Sequence, residues 1–201
     1  MSFVVVEGPN GSGKTTLIKN LAKCGIKTLS SPNGTPLATM LRPACRGTEP
    51  WTKIDKQIQF LLFSAARLDE YINLVKPSKE LIVADRWHTS TFVYQCCLEG
   101  FSVDFLEYTI APDEKIDLCI LLDGDDDVLI QRVNAERQKN ATHGNCTWTQ
   151  NNDTMKELIK LYRTMLPNYL ERRKIPKVCI DTTYQTADQI LEIVKTLLPK
   201  D

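Results

Sequence analysis

Five short, mostly apolar runs recur along the chain, and they constrain its fold more than any other feature. The runs cover Phe3 to Val6, Ile26 to Leu29, Leu81 to Ala84, Leu118 to Leu122 and Val178 to Ile180. They do not alternate as half-exposed strands do, so they predict central strands covered on both faces. Segments with helical periodicity lie between them, at Lys14 to Cys24, Thr52 to Val75, Thr89 to Leu98, Val103 to Ala111, Asp126 to Lys139, Asp153 to Arg172 and Thr186 to Leu198. This order predicts an α/β fold of three layers, α/β/α, around a five-stranded parallel sheet.

The charge balance limits what the chain can bind. Its 201 residues carry 25 Lys and Arg against 25 Asp and Glu. A nucleic-acid coat or a polybasic membrane binder depends on summed positive potential, so neither is expected. No window approaches the roughly 18 apolar residues that a membrane helix needs. Any anionic ligand must therefore be met by a few local cations.

The first residues and the cysteines favour a cytoplasmic protein. Met1 to Glu7 lacks a basic region and has only four consecutive apolar residues, which makes a signal peptide improbable. A chain of this length needs no disulfides, and seven is an odd number of cysteines. Cys24, Cys119 and Cys179 stand among apolar residues and are expected to be buried thiols. With two histidines in the sequence, a histidine-based metal site has little to build on.

A glycine-rich segment follows the first strand and opens into a helix. It reads Gly8-Pro9-Asn10-Gly11-Ser12-Gly13-Lys14-Thr15-Thr16 and fits G-x-x-x-x-G-K-[ST], the phosphate-binding P-loop. Its glycines let successive N–H groups face phosphate oxygens, and the helix N-terminus adds its positive dipole end. Lys14 is then expected to reach the β- and γ-phosphates of ATP, and Thr15 to bind Mg²⁺. The alternative is a glycine-rich turn without a ligand.

A second polar constellation follows the third strand. Asp85 and Arg86 end that strand, and parallel strands place their carboxyl ends on one edge of the sheet, where ligands bind. Asp85 can therefore hold Mg²⁺ directly or through water, and Arg86 can bridge phosphates. The next helix presents polar side chains on one face, at Ser90, Thr91, Tyr94 and Gln95. Simple solvent exposure is the alternative for this face.

These motifs resemble those of the thymidylate kinases, whose second motif reads D-R-[YH]-x-x-S-x-x-A-Y-Q or a close variant. The resemblance covers nearly the whole chain and includes Gly34 to Arg42, Leu61 to Arg67, Leu121 to Asp123 and Val178 to Asp181. It implies a single P-loop nucleoside monophosphate kinase domain over residues 1–201, with a P-loop NTPase fold and a LID at about residues 137–152. It also implies a homodimer that uses ATP and Mg²⁺ to phosphorylate dTMP to dTDP.

The resemblance assigns roles on the acceptor side. It implies that Arg42 contacts the acceptor phosphate and that Phe63 and Arg67 hold the thymine. Ser90 and Gln95 resemble the remaining base contacts, Tyr94 resembles the tyrosine under the sugar, and Asn10 takes the loop position near the acceptor sugar. Phe63 and Arg67 are four residues apart, so they project from one helix face as an aromatic plane beside a guanidinium.

The resemblance also assigns the catalytic cations. One branch of the family supplies arginines from its LID, and Arg137 and Arg132 are the candidates here. Lys14, Arg86 and Arg137 are the residues expected to stabilise transition-state charge. A closing flap would also exclude water from the γ-phosphoryl group.

The absence of one carboxylate favours a monophosphate acceptor. A phosphate with a second pKa of about 6 is mostly a dianion at pH 7 and needs no general base. A nucleoside hydroxyl would need a carboxylate to take its proton, and nucleoside kinases place one after the second strand. Here that position reads Ser30-Ser31-Pro32.

Three departures from the family pattern keep alternatives open. Asn10 replaces the usual Asp or Glu, Ser30 and Ser31 replace Arg-Glu, and Trp87 replaces Tyr or His. All touch the acceptor side, so a kinase acting on dUMP, a modified thymidylate or several deoxynucleotides is the first alternative. A deoxynucleoside kinase ranks below it. A P-loop ATPase or nucleotide switch is the alternative of another class, and would consume ATP without an acceptor.

Overall fold

Five parallel strands form one sheet, as the sequence predicts. A computed structural model of the chain describes residues 2–48, 50–51, 53–139 and 151–199. Its strands run in the order β2-β3-β1-β4-β5, and every neighbouring pair is parallel. Their bounds are β1 Phe3–Glu7, β2 Lys27–Ser30, β3 Ile82–Asp85, β4 Leu118–Asp123 and β5 Lys177–Asp181. Each predicted run therefore holds a strand, with ends that differ by one residue or so.

Helices cover both faces of this sheet. They are α1 Lys14–Lys23, α2 Pro36–Cys45, α3 Lys56–Glu70, α4 His88–Thr91, α5 Val103–Tyr108, α6 Asp126–Lys139, α7 Asn152–Thr164, α8 Leu166–Arg172 and α9 Ala187–Leu197. Two of them continue as π-helix, α3 through Tyr71–Val75 and α4 through Phe92–Leu98. Within the described ranges, no helix is long and apolar enough to span a bilayer.

Two helix predictions need correction. Helix α2 was not among the predicted segments, because its two prolines break the helical pattern. Pro36 lies in the first turn, where its missing N–H is not needed, and the Thr35 hydroxyl caps that turn by accepting from the Ala38 N–H at 3.0 Å. The single helix predicted from Asp153 to Arg172 is two helices, α7 and α8, because Pro167 forces a restart after Met165.

The core lies on both faces of the central strand. All five residues of β1 are buried. Phe3 and Val5 pack on one face with residues of α3, α7 and α8, whereas Val4 and Val6 pack on the other face with α1 and α9. This alternation of neighbours explains why the strand is apolar without a break.

The cysteine prediction is confirmed for one of three positions. Cys119 is buried in the centre of the sheet, but Cys24 and Cys179 are exposed. Cys24 follows the last turn of α1, and Cys179 lies on the edge strand β5, so neither has a second layer above it.

The topology brings the polar motifs to the carboxyl edge of the sheet. Val6 pairs with Asp85, so β1 and β3 end side by side. The glycine-rich loop leaves β1 at Gly8, where φ is 144° and an added Cβ would lie 2.0 Å from the Leu122 carbonyl oxygen. Glycine is therefore required there. Most of the predicted LID, residues 140–150, lies outside the described residues.

Candidate active site

A cleft of about 1460 Å³ opens at this edge. It collects almost all the residues that the sequence predicts for the site. The lining includes Asn10, Gly11, Ser12, Gly13, Lys14, Thr15, Thr16, Arg42, Phe63, Arg67, Asp85, Arg86, Ser90, Thr91, Tyr94, Gln95, Arg132 and Arg137. Gly8 and Pro9 lie behind this lining and contribute through their backbone carbonyls.

Lys14 is buried at the base of the cleft. Its ammonium donates to the carbonyl oxygens of Gly8 and Pro9, each at 2.8 Å, and to Ser12 Oγ at 3.4 Å. Burial, together with the nearby Arg86 guanidinium, lowers the pKa of Lys14 to about 7. The charge of this lysine therefore depends on what fills the cleft.

Arg86 is held from three directions. Its NH1 donates to Ser90 Oγ at 3.1 Å and to the Tyr162 hydroxyl at 2.8 Å, and its NH2 donates to Asn10 Oδ1 at 2.7 Å. The guanidinium also lies 5.4 Å from the centre of the Tyr94 ring. Its backbone has a φ of 71°, which is unfavourable for a residue with a side chain. Such strain is typical of functional sites.

Glu7 is a buried carboxylate behind the cleft that the sequence patterns did not single out. It is fully buried and lies 3.9 Å from Arg86 NH1. It accepts hydrogen bonds from the Trp87 N–H at 3.1 Å, Thr89 Oγ1 at 2.6 Å, Ser90 Oγ at 2.8 and 2.9 Å, and the Tyr162 hydroxyl at 3.2 Å. A carboxylate ending a buried strand directly before a phosphate loop is the signal that could have found it.

Two oxygen-bearing side chains, Asp85 and Thr15, line the cleft beside the phosphate loop. The buried Asp85 Oδ1 receives no hydrogen bond from any described residue. Thr15 lies in the first turn of α1 and lines the same cleft. Mg²⁺ binds one or two protein oxygens and takes its other ligands from phosphates and water, so this donor set fits the ion.

One wall combines an aromatic ring with buried polar groups. Phe63 is half-buried against the core, and Arg67, which lines the same cleft, is only 3% exposed. Burial lowers the pKa of Arg67, and the charge of Glu114 opposes that shift. The Gln95 Nε2 is buried with no hydrogen-bond partner in the described part of the chain. The guanidinium of Arg67 donates to three hydroxyls, Thr91 at 3.0 Å, Thr109 at 3.1 Å and Ser64 at 3.4 Å.

Helix α2 and the residue that follows it add two arginines, of which the sequence patterns identified one. Arg42 NH1 donates to the Pro32 carbonyl at 2.8 Å, and burial and the neighbouring Arg46 lower its pKa. Arg46 lies one turn later and lines the same cleft. Its side chain makes no hydrogen bond or ion pair within the described ranges. No motif marks Arg46, so only its spacing of four from Arg42 hinted at a shared face.

The loop after β2 is held from behind by a second buried carboxylate. Glu70 accepts from Ser31 Oγ at 2.5 Å, the Asn33 N–H at 2.7 Å and the Gly34 N–H at 2.6 Å. Burial raises the pKa of Glu70, and these donors oppose the shift. Because this loop provides the carbonyl that holds Arg42, Glu70 fixes the arginine indirectly.

The two LID candidates have different surroundings. Arg132 is engaged by backbone, since it donates to the carbonyls of Thr182 at 2.9 Å, Thr183 at 3.3 Å and Gly11 at 3.4 Å. Arg137 NH1 donates to the side chain of Asn134 at 2.9 Å, but its NH2 is buried without a partner among the described residues. Arg137 is thus the candidate with donor capacity left for a ligand.

Comparisons with known proteins point to one family. The family model described as thymidylate kinase matches residues 6–192. The thymidylate kinase of Mycoplasma pneumoniae is 30% identical over 154 residues, which cover 69% of this chain and 70% of that protein. The thymidylate kinase of Photobacterium profundum is 33% identical over 144 residues, or 65% and 69% of the two chains.

Solved structures of thymidylate kinases share the fold. The crystal structure of the Ehrlichia chaffeensis enzyme has a TM-score of 0.68 at 20% identity and covers 98% of both chains. The Candida albicans enzyme has a TM-score of 0.69 at 18% identity and covers 98% of this chain and 90% of that one. The predicted P-loop NTPase fold with a five-stranded parallel sheet is therefore confirmed.

Proposed function

This chain belongs to the thymidylate kinase family, and from that premise we propose that it transfers the γ-phosphate of ATP to dTMP, forming dTDP and ADP. Membership makes it a phosphotransferase that binds nucleotides. One observation carries the choice of acceptor: the cleft joins a phosphate loop to the wall of Phe63, Arg67 and Gln95. A nucleotide whose base lies on that wall would direct its 5′-phosphate toward Lys14 and Arg86.

Positioning and charge neutralisation account for the reaction. The acceptor phosphate is already a nucleophile at pH 7, so no general base is needed. Arg42 would hold it, and Arg86 would bridge it to the transferred group. Lys14 would bind the β- and γ-phosphates of ATP. In the transition state, negative charge spreads over the equatorial oxygens of the γ-phosphoryl group. Cations that face these oxygens stabilise this charge.

Arg137 would complete this cluster from the donor side. Its NH2, which has no partner among the described residues, supports this role, whereas the three backbone contacts of Arg132 support a fixed wall between the phosphate loop and the turn after β5. The single domain over residues 1–201 and the LID at about 137–152 remain part of the proposal.

Mg²⁺ fits the two oxygen-bearing side chains described above. Thr15 would hold it directly, and Asp85 would hold it directly or through water. The ion would neutralise charge on the β- and γ-phosphate oxygens of ATP.

Thymine recognition would rest on Arg67 and Gln95, with Phe63 stacking on the ring. Both polar groups are buried, and a base that offers no acceptor to Gln95 Nε2 would leave that donor unpaired among the described residues. Tyr94 would lie under the sugar. Ser90 lines the cleft, but its hydroxyl is engaged by Glu7 and Arg86, which supports a role in holding Arg86 rather than the base.

Asn10 affects the charge on the acceptor side of the cleft. It accepts a hydrogen bond from Arg86, and as an amide it does so without neutralising the guanidinium. If Asn10 sets charge and not base choice, Asn10→Asp should change the KM or kcat for dTMP and leave the order dTMP over dUMP unchanged. Steady-state kinetics with both acceptors check this, and a reversed order would contradict it.

A homodimer is supported by an apolar surface on α3. Ile58 is 48%, Leu61 44% and Leu68 37% exposed along this helix, and Ile72 and Tyr108 extend the patch. A groove of about 530 Å³ runs through it. Such a patch favours a second copy of the chain. Leu61→Asp should shift the mass in sedimentation equilibrium from dimer to monomer, and an unchanged mass would exclude this surface.

A reducing compartment, such as the cytoplasm, is supported by the thiols. All six described cysteines are free, and three of them are buried. Burial raises the pKa of Cys45 and Cys96 to about 12, which keeps both as unreactive thiols.

The decisive experiment measures ADP formation from ATP and Mg²⁺ with a panel of acceptors. We expect stimulation by dTMP, weaker stimulation by other deoxynucleoside monophosphates and none by thymidine. Stimulation by thymidine alone would instead indicate a deoxynucleoside kinase. ADP formation that no acceptor stimulates would indicate an ATPase and refute the proposal.

A further inference from the structure

A buried tyrosine outside the cleft contacts Arg86. Tyr162 lies on α7 and is 4% exposed. Its hydroxyl accepts from Arg86 NH1 at 2.8 Å and donates to Glu7 Oε2 at 3.2 Å. Its ring packs edge-on against Tyr94, with the ring centres 6.2 Å apart. The hydroxyl thus links a fully buried carboxylate to the arginine at the centre of the site.

The hydrogen bonds of Arg86 leave a defined set of donors for a ligand. A guanidinium has five N–H groups. Both groups on NH1 are used, by Ser90 and Tyr162, and one on NH2 is used by Asn10. The Nε–H and the second N–H of NH2 have no hydrogen-bond partner among the described residues. Two N–H groups in a fixed plane match the oxygens of one phosphate.

Tyr162 determines which way this free pair points. Asn10 and Ser90 sit on the cleft side, whereas Tyr162 and Glu7 contact NH1 from the buried side. The backbone of Arg86, the residue after β3, is in the left-handed region, a conformation that persists only where the surrounding structure holds it. Without the Tyr162 hydroxyl, an N–H of NH1 loses its acceptor and the plane can rotate.

We propose that Tyr162 is a positioning residue for phosphoryl transfer, whose hydroxyl, fixed by Glu7, holds the Arg86 plane ready for the phosphates. This inference rests on the proposed kinase function. A tyrosine that only filled the core would need no hydroxyl at this place. Tyr162 touches no substrate itself, so its effect should appear in kcat and not in the binding of ATP.

The test compares two matched changes, Tyr162→Phe and Tyr169→Phe. Tyr169 is also buried, at 2% exposed, and its hydroxyl also has a polar contact, His88 Nδ1 at 3.2 Å. It does not line the cleft and does not contact Arg86. Loss of a hydrogen bond to a charged group predicts a kcat roughly ten- to a hundredfold lower for Tyr162→Phe. The KM for ATP should change less than twofold, and Tyr169→Phe should keep its kcat within twofold.

A double-mutant cycle separates positioning from general damage. In an Arg86→Lys background, the planar donor set is gone, so Tyr162→Phe should lower kcat by less than about threefold. The full ten- to hundredfold loss in that background would overturn the inference. So would equal kcat values for Tyr162→Phe and Tyr169→Phe.

A spectroscopic measurement keeps the inference testable whatever the acceptor proves to be. In arginine-selective NMR of the ligand-free protein, the held Arg86 guanidinium should give separate NH1 and NH2 signals. Tyr162→Phe should merge or broaden them, and Tyr169→Phe should not. Unchanged signals in Tyr162→Phe refute the positioning role. Absence of dTMP-stimulated ADP formation by the unmodified protein refutes the proposed function instead.

Discussion

The binding of ATP should take up a proton at Lys14. In the ligand-free protein, burial and the charge of Arg86 lower the pKa of this lysine to about 7. The groups that accept hydrogen bonds from its ammonium are two carbonyls and one hydroxyl, which carry no full charge. A triphosphate would put several negative charges next to it, which favours the protonated form and raises the pKa again.

The size of the effect follows from the free-state pKa. At pH 8 a group with a pKa of about 7 is roughly 9% protonated, so binding should take up about 0.9 proton. Because binding needs the ammonium, the affinity for ATP should fall about fivefold from pH 7 to pH 8 and about ninefold from pH 8 to pH 9. The direction follows from the protonated form being required: the affinity for ATP is full well below pH 7 and is lost as the pH rises through 7.

Isothermal titration calorimetry measures both quantities. Without an acceptor, MgATP is titrated at pH 8 in buffers of different ionisation enthalpy, and the slope of the binding enthalpy gives the protons taken up. Lys14→Arg is the control, because a guanidinium stays charged throughout and should take up none. A slope of zero for the unmodified protein, or an equal slope for Lys14→Arg, would refute the reasoning.

Four further results are expected. Arg46→Gln should raise the KM for dTMP by roughly three- to tenfold and leave the KM for ATP unchanged. The reason is that the Arg46 guanidinium lines the cleft and has no partner in the described ranges. Steady-state kinetics with both substrates measure this. Gln95→Leu should raise the KM for dTMP about tenfold while the melting temperature stays or rises, since the lost amide N–H has no partner in the described part of the chain. Gly8→Ala should lower the free energy of unfolding by more than about 3 kcal/mol, whereas Gly25→Ala, with nothing within 4 Å of the added Cβ, should cost about 1 kcal/mol. Inorganic tripolyphosphate should compete with ATP, and single-stranded DNA should not inhibit.

The fold was predictable where one physical signal was strong. The central strands are buried on both faces, and short runs of continuous apolar sequence are typical of such strands. Helix α2 was missed because Pro36 and Pro43 read as helix breakers, although the first turn tolerates proline. The division between α7 and α8 depends on Pro167 in an otherwise helical pattern, and its local effect outweighed the periodicity.

The site was predictable as far as parallel topology determines it. Residues that end β1 and β3 must meet at one edge, so the cleft collects the glycine-rich loop and the Asp85-Arg86 motif. Long-range partners carry no such signal. Tyr162 is 155 residues from Glu7, and no spacing rule connects the two. A buried acid and a buried hydroxyl become recognisable only once three-dimensional packing shows what each must satisfy.

Positive charge is concentrated in the cleft of a chain that is neutral as a whole, and this distribution favours small anionic ligands. Eight cationic side chains and two carboxylates line the cleft, which leaves 17 cations against 23 acidic residues elsewhere in the sequence. A long polyanion extends beyond the cleft to parts of the chain where acidic residues outnumber cations, whereas a nucleotide enters the cleft, where cations outnumber carboxylates. The buried carboxylates Glu7 and Glu70 support this arrangement from behind. Glu70 fixes Arg42 through the loop after β2, and Glu7 fixes Arg86 through the hydroxyls of Ser90 and Tyr162 and a longer contact of 3.9 Å. The guanidiniums are thus held in place while their charge stays available to phosphate.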